Sequence, residues 1–347
     1  MFIIFGGLNQ KIAVMTGKKY KIGLIGAGRM GERWAKIISG SLIAELSLVV
    51  DLNKEVGEKI ALQTDAIYLS EFPKKNVSVD AFFVVTPHAY LYQNARRALL
   101  LNKPVFIEKP GARNATEMRK LIVLAKKRHL PLMVGFNYRF FDAIQRAKKA
   151  VEENKIGKIL FMRLRHGHQG RVGYEKEWRM DKKIAGGGVL MDQGVHLIDL
   201  ILWFMPGEIK KLSAVSQNLY WKSNVEEYAS IILKNNKKQV ALISVGITEW
   251  KPIFSLEIIG EKGYILVEGL GRKYGGKEIF TIGVKDKDSN VGEEVVECDP
   301  EPENALRTLF NEFIASIETG KMSEPIGENA LRVLQIVGKA YKILDKK

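Results

Sequence analysis

Residues 21–31 read KIGLIGAGRMG, and this stretch restricts the fold of everything around it. Residues 21–25 form a short apolar run of strand type, and the segment that follows has helical spacing. Between them Gly26, Gly28 and Gly31 have separate duties. Gly26 permits a tight turn, Gly28 lets an anionic group approach the backbone, and Gly31 lets helix and strand pack closely. The freed N–H groups and the helix dipole then face the anion. A glycine pattern of this kind standing alone is weak evidence. Here a second strand over residues 44–50 ends in Asp51, twenty positions beyond Gly31. A carboxylate placed there meets ribose hydroxyls.

The expected ligand is therefore a dinucleotide. Asp51 suits two free ribose hydroxyls and repels a 2′-phosphate, so NAD is expected in preference to NADP. Leu52 and Asn53 supply no arginine for such a phosphate, although Lys54 lies one turn away.

Further apolar runs at 81–85, 105–107 and 132–135 alternate with helical patterns at 54–63, 91–101 and 114–127. Such alternation means parallel βαβ units. Ligands of open α/β sheets bind beyond the carboxyl ends of the strands. Lys109 lies just past the fourth of these runs, and Pro110 disfavours a helical backbone there. Pro110 followed by Gly111 is also a setting for a cis peptide bond. Thr86-Pro87-His88 makes a comparable turn after the third run, where His88 either touches the cofactor or caps the turn.

At 347 residues, 46% of them hydrophobic, the chain exceeds the size of one growing core, so two domains are expected. The single cysteine, Cys298, excludes an intramolecular disulfide and a cysteine-built zinc site, which fits a reducing, cytoplasmic setting. The net charge of +15 is spread along the chain without a recognition motif. It argues for a lysine-rich surface or an anionic small ligand rather than nucleic acid. No window is expected to reach the ~20 apolar residues of a membrane span. The opening MFIIFGGLNQKIAVMTG lacks the pattern of a signal peptide, and either Met15 is the true start or the stretch adds a strand. No internal repeat or low-complexity segment is evident.

Residues 186–199 read GGGVLMDQGVHLID, and LILWF continues the apolar run. No proline interrupts residues 189–204, so one helix is expected. At helical spacing Asp192, His196 and Asp199 fall within about 60° of one face. The rest of that helix is almost entirely apolar and should be buried. A buried polar stripe is either hydrogen-bonded structure or a functional site. The glycine run before it allows close approach of backbone or ligand.

The chain resembles the glucose–fructose oxidoreductase/inositol dehydrogenase/MocA family in KIGLIGAGRMG, Asp51, TPH at 86–88, EKP at 108–110, GFNYRF at 135–140, EWR at 177–179 and GGGVLMDQGVHLID. The resemblance covers roughly residues 19–345. It implies an α/β protein with an N-terminal Rossmann domain at 19–140. A C-terminal α/β domain with a large, mostly antiparallel open sheet would follow at 141–324, serving substrate binding and oligomerisation. A closing helix within 325–347 would pack back on the Rossmann domain. The resemblance also implies nicotinamide-dependent oxidation or reduction at a sugar or cyclitol carbon. The family's catalytic lysine, aspartate and histidine fall on Lys109, Asp192 and His196. Cofactor contacts fall on Gly26, Gly28, Arg29, Met30, Gly31, Asp51, Thr86, Pro87, His88, Glu108, Lys109, Asn137, Trp178 and Arg179. Family members often pair the open sheet faces, so a homodimer or homotetramer is expected.

The second half supports a sheet, with strand-like runs at 159–165, 212–217, 228–233, 239–246, 254–259 and 264–268. GEKG at 260–263 reads as a hairpin turn. Helical patterns at 303–319 and 329–344 close the chain. His166 and His168, two apart near a strand end, share a face. With Arg171 close in sequence, His168 is a candidate substrate contact, alongside Lys109, Asp192 and His196. A His-x-His metal pair has no evident third ligand, and no metal is expected. His129 reads as a solvated helix end.

Oxidising a secondary alcohol requires a base near working pH, and histidine supplies one with little tuning. His196 is the expected acid/base, Lys109 the group that polarises the oxygen, and Asp192 the partner of a sugar hydroxyl or of the imidazolium. Asp199 is left as structural support. Asp192 and His196 are expected to face the cofactor. Two further readings stay open: an enzyme with a retained NAD that cycles hydride for hydrolysis or epimerisation, and a non-catalytic NAD-binding sensor.

Overall fold

The computed structural model describes residues 19–345 except 74–76, 289, 299–300, 302 and 322–323. The expectations for residues 1–18 lie outside the described residues. The chain divides into two units: one runs to Gly135 and takes in Leu306–Leu331, and the other is Phe136–Ala305 with the chain from Arg332 onward.

The first unit holds a six-stranded sheet of β1 (Tyr20–Ile25), β2 (Ala44–Val50), β3 (Ile67–Leu69), β4 (Ala81–Val84), β5 (Val105–Ile107) and β6 (Leu132–Val134). Its order is β3-β2-β1-β4-β5-β6, with parallel neighbours throughout. This is the doubly wound order, and it reverses between β1 and β4. Strands β4, β5 and β6 are buried at every residue, which is why they read as continuous apolar runs rather than alternating ones. The crossovers are α1 (Arg29–Ser39), α2 (Lys54–Thr64), α3 (His88–Leu100) and α4 (Ala115–Lys127). Asn114 caps α4 from outside by accepting the Glu117 N–H at 2.9 Å, so the helix begins one residue later than its sequence pattern. His88 opens α3 directly after Pro87, three residues earlier than the pattern indicates. Strand β3 has no counterpart among the expected strands. It is a three-residue edge strand, half-buried or exposed throughout, and carries little periodic signal.

The helix Asn304–Thr319 crosses residue 306, where the chain passes from the second unit to the first. Its Phe310 and Phe313 join Trp34, Phe83 and Phe106 in one aromatic core, with Phe83–Phe106 stacked at 4.5 Å and Phe83–Phe313 edge-on at 5.3 Å. Val134 N–H then bonds Pro325 O at 3.0 Å. The chain thus returns to the first sheet well before residue 325. The closing helix Gly327–Leu344 is shared, its first residues belonging to the first unit and those from Arg332 to the second.

The second unit begins with α5 (Asp142–Glu152), which faces inward through Ala143, Ile144, Ala147 and Ala150. The sequence reading lacks this helix. Its sheet comprises β7 (Ile159–Gly167), β8 (Ile209–Gln217), β9 (Tyr228–Asn235), β10 (Val240–Gly246), β11 (Ile253–Gly260), β12 (Gly263–Leu270), β13 (Tyr274–Lys285) and β14 (Val291–Cys298). Their order is β14-β13-β12-β11-β7-β10-β9-β8, with β7 and β10 parallel and every other neighbouring pair antiparallel. The hairpin at 260–263 joins β11 to β12 as expected. Strands β13 and β14 were not foreseen. Gly275, Gly276 and Lys277 interrupt the start of β13, and β14 is an edge strand exposed at its first five residues. The helix α6 (Val195–Phe204) is buried at nine of its ten residues. Contrary to the sequence expectation, the run Lys182–Phe204 is long and apolar enough to cross a membrane, but 83% of that window is buried inside the fold.

Candidate active site

The carboxyl ends of the first sheet form a stair of backbone bonds. Gly26 N–H donates to Val50 O at 2.8 Å, Val85 to Ile25 at 2.8 Å, Glu108 to Val84 at 2.9 Å, and Gly135 to Ile107 at 2.9 Å. The glycine turn, Thr86–His88 and Glu108–Lys109 therefore leave adjacent strands at one end of the sheet. Each glycine does its separate work. Gly26 holds φ +101°, and a Cβ on Gly31 would lie 2.1 Å from Gly26 O. A Cβ on Gly28 would meet nothing within 4 Å, so that side of the turn is open to an incoming group. Gly28 and Arg29 are exposed, and Met30 is half-buried with its Sδ 3.8 Å from Arg33 Nη1. Thr86 Oγ1 is buried without a hydrogen-bond partner, a state that a ligand would relieve. Asp51 accepts N–H groups from Ala27 at 2.6 Å and Asn53 at 2.8 Å, which fixes its carboxylate beside the turn. A dinucleotide fits this set: open backbone donors, a waiting hydroxyl, and a positioned carboxylate.

Glu108 is buried and accepts from Trp34 Nε1 at 2.9 Å and from the Lys109 N–H at 3.2 Å. Burial pushes its carboxyl above the usual carboxylate range, against the pull of Trp34 and Lys109. It ties α1 to the end of β5 and fixes where Lys109 starts. The Lys109–Pro110 peptide is cis, and Gly111 follows at φ +87°. Lys109 is half-buried, and His88 is buried at the first turn of α3.

In the second unit the glycine run serves close approach of protein, not open space. A Cβ on Gly187 would lie 1.9 Å from Tyr341 Oη, and one on Gly188 would lie 2.1 Å from Glu226 O. The Glu226 carboxylate accepts the Gly188 and Leu190 N–H groups at 3.0 Å and the Tyr341 hydroxyl at 2.8 Å. Burial pushes Glu226 above the ordinary carboxylate range and the Tyr341 phenol well above its own. Gly187→Ala is expected to destabilise the protein by about 1–3 kcal/mol through overpacking against Tyr341. An unchanged unfolding midpoint in that variant would show the contact to be soft.

The expected single helix is corrected here. Residues Leu190–Gly194 form a π-helical turn, and the α-helix starts only at Val195. The wider turn shifts Asp192 relative to the straight-helix projection, and the polar stripe divides. Asp192, 5% exposed, faces Arg179, with Nε 3.5 Å from Oδ2, and accepts from Gln193 Nε2 at 3.0 Å. His196 is buried and lies flat on the Tyr138 ring, with centroids 4.0 Å apart and planes 7° apart, and Phe136 edge-on at 6.0 Å. Asp199 turns away into a bidentate pair with Arg139, at 2.7 Å to Nε and 2.6 Å to Nη2.

Tyr138, Tyr174, Gln193 and Tyr274 complete the cluster, and the sequence reading named none of them. The Tyr138 hydroxyl lies 3.1 Å from His166 Nε2 and donates to Gln193 Oε1 at 3.3 Å. Burial, with Tyr274 and Asp192 nearby, pushes the phenol well above its usual range. GFNYRF at 135–140 is the signal that carries Tyr138, beside the expected cofactor contact Asn137. His166 and His168 do share a face, with rings 6.2 Å apart and Tyr274 against both. His168 Nδ1 accepts the Gly170 N–H at 3.0 Å, which leaves the proton of the neutral ring on Nε2. Burial lowers its pKa to about 4, against the pull of Asp192. The unfolded chain binds that proton near pH 6.5, so stability falls as pH drops from about 6.5 toward 4.

Arg171 is exposed, bonded to Glu177 and lying 5.0 Å above the Tyr174 ring. Trp178 and Arg179 stack at 4.5 Å, and Asn137 is half-buried at the start of the turn that carries Tyr138. His129 is exposed just past α4. No group of three or more His, Cys, Asp or Glu side chains fit to hold a metal occurs among the described residues.

Residues 20–136 match the oxidoreductase family with an NAD-binding Rossmann fold, and residues 144–266 match the GFO/IDH/MocA C-terminal domain. Among curated proteins, inositol 2-dehydrogenase of Rhizobium meliloti (strain 1021) is 26% identical, across 94% of this chain and 97% of its own. Glucose-6-phosphate 3-dehydrogenase of Bacillus subtilis (strain 168) is 27% identical, across 84% of this chain and 83% of its own. The solved complex of levoglucosan dehydrogenase with NADH and levoglucosan shares the fold at TM-score 0.85 and 21% identity, covering 95% of this chain and 98% of the other.

Proposed function

The chain belongs to the GFO/IDH/MocA family of oxidoreductases, and from that premise we propose that it oxidises a secondary hydroxyl of a sugar, sugar nucleotide or cyclitol. The observation that carries this reading is the buried His196 imidazole, held flat on Tyr138 one turn beyond the Asp192 carboxylate. Inositol 2-dehydrogenase and glucose-6-phosphate 3-dehydrogenase, among the relatives, are named for oxidation of ring hydroxyls, which supports the substrate class.

Gly26, Gly28, Arg29, Met30, Gly31, Asp51, Thr86, Pro87, His88, Glu108 and Lys109 would hold NAD, with Asn137, Trp178 and Arg179 proposed as further contacts. Bound NAD supplies the acceptor for the hydride. The Lys109 ammonium binds the substrate oxygen and stabilises its charge as the proton leaves. That proton passes from the hydroxyl to a ring nitrogen of His196 as the C–H bond gives up its hydride and C=O forms. Asp192, steadied by Arg179, takes a neighbouring hydroxyl and stabilises the imidazolium. His168 and Arg171 bind the substrate farther from the reacting carbon. A reducing cytoplasmic setting belongs to the same proposal, as does a homodimer or homotetramer. Ile232 on β9 pairs with Leu242 on β10, and with Val215 on β8 they leave exposed apolar side chains on this sheet, which supports assembly.

Asp51 makes the cofactor NAD rather than NADP, because its carboxylate would meet a 2′-phosphate with like charge. Asp51→Ser is expected to narrow the NAD preference about tenfold or more, measured as the ratio of dissociation constants. Equal binding of both cofactors by the unmodified protein would remove the argument.

A further inference from the structure

A ladder of aromatic rings in the second unit begins beside His166 and ends in solvent. From His168, 6.2 Å from His166, successive ring centroids step to Tyr174 (5.8 Å), Trp221 (5.7 Å), Tyr220 (5.2 Å) and Trp250 (5.1 Å). The inner rungs are buried or half-buried. The outer two are open, Tyr220 at 54% and Trp250 at 62% exposure, with Leu219 beside Tyr220 in the chain at 81%. Their planes stand 76° apart, making a floor and a wall.

We propose that this corner is a subsite for the flat base of a nucleoside diphosphate whose sugar is the group oxidised. The proposal deepens the dehydrogenase reading, on which it rests only for the identity of the attached sugar. Contiguous exposed apolar surface marks a binding site more often than an idle one, and this surface is built to stay in place. The buried Glu227 carboxylate accepts the N–H groups of Leu219 at 3.2 Å, Tyr220 at 2.7 Å and Trp221 at 2.5 Å. The Trp221 indole donates to Ile247 O at 3.1 Å. The backbone that carries Tyr220 and the Trp221 ring behind it are therefore fixed before any ligand arrives, which lowers the entropy cost of binding one.

Charge selects the ligand. Lys222 and Lys251, both exposed, directly follow Trp221 and Trp250. Residues 218–223 contain no acidic side chain, and Glu249 is already paired with Arg165 at 2.8 Å. Stacking rings beside unneutralised lysines suit a base tethered through a diphosphate better than a neutral glycosyl ring.

The test titrates uridine diphosphate into NAD-saturated protein and its Trp250→Ala, Tyr220→Ala and His196→Ala variants. Inorganic pyrophosphate, uridine and maltose serve as separate probes. Uridine diphosphate should bind the unmodified protein and exceed pyrophosphate or uridine alone. Trp250→Ala and Tyr220→Ala should each weaken it about 5- to 100-fold, the usual loss on removing a base-stacking ring, with the unfolding midpoint unchanged. His196→Ala should bind it as the unmodified protein does, so failure of the dehydrogenase reading leaves this result standing. Uridine diphosphate binding that is absent, or unaffected in both ring variants, overturns the proposal. Maltose binding lost in the ring variants without uridine diphosphate binding would assign the corner to a glycosyl ring and overturn it. A changed sedimentation coefficient in those variants, with nucleotide binding intact, would assign it to a second copy of the chain and overturn it too.

Discussion

Replacing His196 with Ala is expected to lower the turnover rate about 10²–10⁴-fold, the usual contribution of a positioned acid/base. NAD should still bind, because the glycine turn, Asp51 and Thr86 that would hold its phosphates and adenosine half lie in the other unit. The loss should fall on kcat and kcat/KM together, as for an interaction realised only in the transition state. The imidazole sits in a closed aromatic bracket of Phe136 and Tyr138. If that bracket were only packing, His196→Ala would cost stability and leave the rate on the true substrate unchanged.

The second large effect concerns stability. Arg139 and Asp199 are both almost fully buried and meet through two hydrogen bonds, and the guanidinium also lies 5.1 Å over Trp203. Removing one partner strands a charge away from water. Arg139→Met or Asp199→Leu alone should therefore destabilise by about 3–5 kcal/mol, measured by denaturant unfolding. The double variant Arg139→Met/Asp199→Leu should recover most of that loss, since an apolar pair of similar volume is often equivalent. Single variants within 1 kcal/mol of the parent would mean that water reaches the pair. The pair also ties the turn that carries Tyr138 to the helix that carries His196, so its loss should reach the site as well.

Legibility followed the strength of each local signal. Apart from its edge strand β3, the first sheet was readable because its central strands are buried and its glycines answer to backbone demands: Gly26 to a positive φ, Gly31 to the carbonyl 2.1 Å away. Strand β14, exposed along most of its length, offered no apolar run to find, and β13 opens on paired glycines that mask the start of its own. Asp192, His196 and Asp199 were legible as a polar stripe, but not as separate partners. One π-helical turn and a bidentate arginine sixty residues away in sequence divide them, and neither leaves a mark in a periodicity count. Likewise GGG at 186–188 announced close approach without saying to what. The answer, Glu226 and Tyr341, comes from a loop and a helix far along the chain. Long-range polar pairing is the part of a site that local pattern does not encode.

The most direct measurement follows nicotinamide absorbance as the protein and NAD meet a panel of cyclitols, aldoses, uronic acids, sugar phosphates and nucleotide sugars. NADH should accumulate with at least one of them, and His196→Ala should slow that same reaction at least a hundredfold. Tight NAD binding with no free NADH from any member of the panel would contradict the account.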